Sequence, residues 1–190
     1  MLALGPEAID EARAKQELMV AAHGMYNWAA AHLKYAGARA TARDSVVVDA
    51  VDGTEEYICA PAWGLKGQLD ATVFARTHAT NGRSLAMPLE LKTGRKSDLA
   101  LVKFRAQVIL YCAMLISRYP AHPALGGGGI LLFIGHPKPK GGAPAPPGPG
   151  YSQDRVPILS AEVRGVLHAR NELAAALAAF EDSICEEEEE

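Results

Sequence analysis

Between residues 85 and 134 the chain reads as an apolar strand, a long apolar helix and a second apolar strand. This order constrains the fold more than any other stretch. LAMPLELK (85–92) ends as a strand at Thr93-Gly94. LALVKFRAQVILYCAMLISR (99–118) reads as a largely buried helix that stops before Pro120, and GILLFI (129–134) is a buried strand after a glycine run. Upstream, residues 6–35 read as a helix rich in Ala, Glu and Leu. The β-branched run 45–51 reads as a strand, followed by a turn at Asp52-Gly53 and a partner strand at 55–60. After a break at Pro61 to Gly64, residues 66–76 alternate as a strand, with Leu69, Ala71, Val73 and Ala75 on one face and Gln68, Asp70, Thr72 and Phe74 on the other. Downstream come a proline- and glycine-rich loop at 137–150, a short strand at 155–159 and a helix at 160–181 with Ser160 as its N-cap. The predicted class is α/β: a mixed sheet covered by helices.

Composition bounds the function classes. Apolar residues make up 49% of the 190, enough for a sizeable core and against global disorder. No run of about 18 apolar residues stands out, so no membrane contact is expected, and the first residues lack a secretory pattern. Cys59, Cys112 and Cys185 are scattered and odd in number, which fits neither a zinc pattern nor a disulfide framework. An intracellular setting is expected. The formal charge of -3 hides an asymmetry, because Glu186–Glu190 supply five of the 22 acids. Between residues 60 and 110, eight basic residues face only Asp70, Glu90 and Asp98. Such a basic middle suits a polyanion, or is simply a solvated face.

Chemistry concentrates in the two central strands. Glu90 and Lys92 are two apart and share a strand face, with Leu89 and Leu91 turned into the core. If the strands pair through residues 77–84, Asp70 meets Glu90 across the ladder. Two such carboxylates repel and lose hydration unless a divalent cation joins them, and hard oxygen ligands select Mg²⁺ or Mn²⁺. Lys92 would then stabilise charge developing beside a phosphate. The bland alternative is a surface salt bridge, although unpaired charges in so apolar a strand are costly. Gln107 and Tyr111, four apart, share one face of the following helix.

The stretches WGLKGQLDATV, LELKTGRK and FRAQVILY resemble the RecB-type branch of the PD-(D/E)XK nuclease superfamily. With ARNELA at 169–174 they resemble, more narrowly, the nuclease domain of the eukaryotic DNA replication helicase/nucleases. The run of glutamates marks 182–190 as a disordered acidic tail. The resemblance implies a restriction-endonuclease-like mixed sheet flanked by helices over residues 1–181. It makes Asp70, Glu90 and the backbone carbonyl of Leu91 ligands of Mg²⁺ or Mn²⁺, and Lys92 the catalytic lysine. It assigns Gln107 and Tyr111 to orienting and contacting substrate. Lys66, Arg95, Lys96 and Arg105 lie within or beside these motifs as candidate phosphate contacts. The implied activity is metal-dependent cleavage of single-stranded DNA or 5′ flaps in replication and repair, in the nucleus. A non-catalytic DNA-binding or interaction module derived from such a nuclease is the alternative.

The departures are informative. The family holds a [4Fe-4S] cluster on four cysteines, and this chain has three scattered ones, so no cluster is expected. Cys59 and Cys112 read as core or near-core thiols. The acidic and histidine positions before R-A-Q are Lys103 and Phe104 here, which bears on substrate placement. No helicase motif is present, and the chain reads as a fragment or shortened paralogue whose helicase module lies elsewhere.

Overall fold

The structure is a computed structural model. It describes residues 11–33, 45–93, 96–122, 127–135 and 148–188, with side chains as far as 180. Among the described residues, three α-helices cover one five-stranded sheet: α1 (Glu11–His32), β1 (Val46–Ala60), β2 (Leu65–Thr77), β3 (Leu85–Lys92), α2 (Asp98–Arg118), β4 (Gly129–Ile134), β5 (Tyr151–Val156) and α3 (Ser160–Glu188). The sheet order is β1-β2-β3-β4-β5, antiparallel throughout except for the parallel pair β3–β4. A parallel pair needs a long crossover, and α2 supplies it. The fold is thus the mixed α/β architecture expected from the strand–helix–strand order.

Each face of the sheet has its own core. On one, Trp28 of α1 packs on Val46, Val48, Val73, Leu85, Met87, Leu89, Ile130 and Leu132. On the other, Val108, Ile109, Cys112 and Leu115 of α2 pack on Ile58, Leu69, Leu131 and Phe133, with Val163 and Val166 of α3 at the margin. By length and composition α2 could cross a membrane, although its charged residues interrupt any unbroken apolar run of that length. Its Val108, Ile109, Cys112 and Leu115 face the sheet, while Leu99 and Val102 in its first turns are exposed. Ser97 caps it, its hydroxyl accepting from the Ala100 amide at 3.3 Å.

Four expectations need correction. No turn forms at Asp52-Gly53: β1 is one long strand, with register shifts between Val48 and Ala50 and between Val51 and Gly53. The second shift is a bulge that absorbs Asp52, and Gly53 pairs with Thr72. The last strand is Tyr151–Val156 and not 155–159, because its partner β4 pairs Ile134 with Tyr151. Helix α3 continues to Glu188, through most of the segment expected as a disordered tail. Cys59 is exposed on β1, although Cys112 is buried. The proline-rich loop, apart from 148–150, and residues 6–10 and 34–35 of the first expected helix lie outside the described residues.

One local feature positions the site. β2 runs beside β3 only as far as the pair Ala71–Leu89, while β1 and β2 stay paired out to Ala60–Leu65. At the parting point the β1–β2 ribbon bends. Val73 and Ala71 face the α1 side, yet Leu69 joins the α2-side core, although strand alternation alone would keep all three on one face. Opposite Asp70, between the pairs Thr54–Ala71 and Glu56–Leu69, Glu55 takes a left-handed backbone conformation, φ 52°. That conformation disrupts an L-residue strand and marks the bend.

Candidate metal centre

Glu90 and Lys92 lie on the α2 side of β3, as the alternation requires once Leu89 and Leu91 face the α1 side. Glu90 is 1% exposed, the one carboxylate among the buried residues. Its Oε1 accepts from the Lys92 ammonium. Its Oε2 is buried with no hydrogen-bond partner. Burial pushes its carboxyl above the ordinary carboxylate range and the negative charge of Asp70 adds to that, while Lys92 and Gln107 pull it back. The Lys92 ammonium also lies 4.7 Å over the Phe104 ring, and Phe104 packs against Phe133.

Asp70 sits where β2 leaves β3. Its Oδ2 accepts from the Leu91 amide at 2.6 Å, taking the place of the backbone acceptor that the departing strand would have supplied. The amide and carbonyl of one strand residue point to the same edge, so the Leu91 carbonyl faces this gap as well.

Gln107 and Tyr111 close the site from α2. Gln107 Nε2 donates to Tyr111 Oη at 2.8 Å, and Tyr111 Oη donates to the Gln68 carbonyl at 2.7 Å. Burial raises the Tyr111 phenol above its ordinary range, and the charges of Glu90 and Asp70 raise it further. Asp70, Glu90, Lys92, Gln107 and Tyr111 therefore share one electrostatic environment, drawn from β2, β3 and α2. The glycines of G-L-K-G are explained here. A β-carbon on Gly67 would press on Tyr111 and Met114 at 3.3–3.4 Å. Gly64 has φ 58°, and the Arg170 guanidinium lies against it, donating to the Gly64 carbonyl at 2.9 Å. The first and last of the four motifs thus touch across the fold.

The candidate phosphate contacts differ from one another. Lys66 is exposed and has no ion pair among the described residues. Lys96 pairs with Asp154 at 2.5 Å and lies over Phe133, and Arg105 pairs with Glu162 at 2.7 Å. Arg95 lies outside the described residues. Sequence reasoning missed three contributors. Phe104 entered only as a departure from a pattern, whereas it underlies Lys92. The Gln68 carbonyl and Arg170 carry no side-chain signature of their roles, although Arg170 lies in a quoted motif.

Two carboxylates gather here, and among the described residues no group of three His, Cys, Asp or Glu forms. That donor set fits a hard cation which keeps several waters, as Mg²⁺ does, and not zinc. The unpartnered Glu90 Oε2 is the atom such an ion would satisfy.

Comparison with known proteins adds a relationship. The family profile described as "DNA replication factor Dna2" matches residues 3–75, which reach Asp70 and stop before β3. The mouse "DNA replication ATP-dependent helicase/nuclease DNA2" is 36% identical over 132 residues, 69% of this chain and 10% of the relative. The human protein of that name is 35% identical over 124 residues, 65% of this chain and 10% of the relative. The Arabidopsis thaliana helicase/nuclease JHS1 is 29% identical over 135 residues, 70% of this chain and 9% of the relative. The chain spans about a tenth of the length of these relatives.

Proposed function

From this relationship to the Dna2 family of replication proteins, we propose that residues 1–181 form a PD-(D/E)XK-type nuclease domain. The domain hydrolyses DNA phosphodiester bonds with Mg²⁺ or Mn²⁺, and its substrate is single-stranded DNA or 5′ flaps arising in nuclear replication and repair. The observation that supports this best is the gathering of Asp70, Glu90, Lys92, Gln107 and Tyr111 around one buried, half-satisfied carboxylate.

Asp70, Glu90 and the Leu91 carbonyl would hold the cation, which when bound would polarise the scissile phosphate and lower the pKa of a water. Lys92, steadied over Phe104, places a compact positive charge beside the carboxylates, where negative charge grows during hydrolysis. Gln107 fixes the Tyr111 hydroxyl, and Tyr111 holds the Gln68 carbonyl, which keeps the strand bearing Asp70 against α2. No covalent nucleophile is required.

The test is single-turnover cleavage of a 5′-tailed single strand in Mg²⁺, beside a binding curve. Lys92→Ala should lower the rate by about 10²–10³ while binding changes little, because one electrostatic donor of this kind is worth that much. Lys92→Arg should not restore the rate, since a planar fork does not replace a compact ammonium. Cleavage by Lys92→Ala at the wild-type rate would remove Lys92 from the catalytic site, and absence of cleavage by the wild type would favour the non-catalytic reading.

A further inference from the structure

Beyond the bend at Glu55 and Asp70, the β1–β2 ribbon has an inner and an outer face. Ile58, Ala60 and Leu69 fill the α2-side core from the inner one. Tyr57, Cys59, Lys66 and Gln68 occupy the alternate positions and are exposed. Tyr57 pairs across the ladder with Gln68, and Cys59 with Lys66. Strand periodicity places Lys66 and Gln68 in one row on the outer face, about 7 Å apart, and the row ends at the bend where Asp70 turns to the α2 side.

Tyr57 is 66% exposed in the middle of a paired strand, leaving an aromatic ring in water opposite Gln68, two residues before Asp70. Lys66 differs from Lys96 and Arg105 in that no carboxylate of the described residues occupies its charge. The acid on this face, Glu55, accepts from Gln68 Nε2 at 2.9 Å and sits at the Asp70 end of the row.

We propose that Tyr57 and Lys66 form a platform for single-stranded nucleic acid on the outer ribbon, one base stacking on the Tyr57 ring and a backbone phosphate resting on Lys66. The proposal deepens the nuclease reading and rests on it. An aromatic ring and a nearby cation are the two elements that hold a strand without reading its sequence. The occupant is single-stranded because a base inside a duplex has no free face to offer Tyr57.

The experiment measures anisotropy of a labelled oligothymidylate with the full chain in EDTA, where no cleavage intervenes. Tyr57→Ala should weaken binding by about 5- to 100-fold, the range found for removing one stacking partner. Tyr57→Phe, which keeps the ring, should bind like wild type. An abasic residue walked along the strand should weaken wild-type binding at one position, and that position-dependence should vanish in Tyr57→Ala. Lys66→Ala should reduce the slope of log affinity against log salt by about 0.7. Circular dichroism and thermal midpoints should be unchanged, since both side chains are exposed.

Equal binding by Tyr57→Ala, or a flat abasic walk in the wild type, overturns the platform, and so does a Tyr57-dependent patch that captures protein but no DNA. Loss of Lys92-dependent cleavage is read separately. If Lys92→Ala stops cleavage while Tyr57→Ala binds as wild type, the platform is wrong and the nuclease reading stands. If Tyr57 governs binding and no cleavage occurs, strand binding stands and the nuclease reading is lost.

Discussion

The two faces of the sheet are built to different rules. The α1 face is closed by apolar side chains; Trp28 and His32 find partners there, while Thr77 Oγ1 and Arg155 Nε are buried without one. Trp28 Nε1 donates to Gln153 at 2.7 Å, and the ring of His32 stacks at 5.7 Å on Trp28 with Nδ1 3.0 Å from the Val46 carbonyl. The α2 face has an equally apolar centre, but at the C-terminal end of β3 it accepts Glu90, whose second oxygen is left without a partner. A buried carboxylate in that state costs stability. The contrast teaches that the α1 face keeps carboxylates out of its buried core, whereas the α2 face buries one at the point where the reaction is proposed.

Four experiments break or sharpen that contrast. The largest effect should come from the α1 face: Trp28→Ala should lower stability by about 3–5 kcal/mol in urea unfolding, by losing a buried indole and stranding Gln153. Next, Mg²⁺ at about 100 times its dissociation constant should stabilise the wild type by about 2.7 kcal/mol and leave Asp70→Ala where it was. A thermal melt indifferent to Mg²⁺ would remove the distinction between the faces. Third comes Glu90→Gln in EDTA. The folded chain holds the Glu90 proton to higher pH than the unfolded chain, because burial raises this carboxyl. Between the ordinary carboxylate value and the raised one, that group makes stability fall as pH rises. Glutamine cannot ionise, so urea midpoints of Glu90→Gln across this window should show less of the fall. The smallest effect is Tyr111→Phe, which releases the Gln68 carbonyl and should cost about 1 kcal/mol, with faster amide exchange confined to the outer β1–β2 ribbon.

Strand periodicity alone sufficed to put Glu90 and Lys92 on one face of β3 and Leu89 and Leu91 on the other, because side-chain direction in a strand is a local property. The limits of β3 and β4 were legible for the same reason, in their continuous apolar runs. The bulged path of β1 was not, since Asp52-Gly53 has the local chemistry of a turn and only pairing with Thr72 and Val73 keeps it in the strand. Nor was the pairing of Lys96 and Arg105, whose partners Asp154 and Glu162 come from elements more than 50 residues away. Cys59 was misjudged because alternate strand positions carry no mark of which face is outward. Asp70 was legible as a candidate, but not its hydrogen bond to the Leu91 amide, which exists only because β2 leaves the sheet there.

Glu55 holds a left-handed conformation with a β-carbon attached, at a cost of about 1–2 kcal/mol relative to an ordinary strand residue. Glycine would adopt the same angle freely and would also let it drift. Mechanically the ribbon is a cantilever with a stiff root. Its tip is tethered by Arg170 to α3, its middle by Tyr111 to α2, and Asp70 stands at the fulcrum. Angular play at a fulcrum displaces the far end most and the root least. With root, middle and tip all held, pressure on Tyr57 leaves the Asp70 carboxylate at its distance from Leu91.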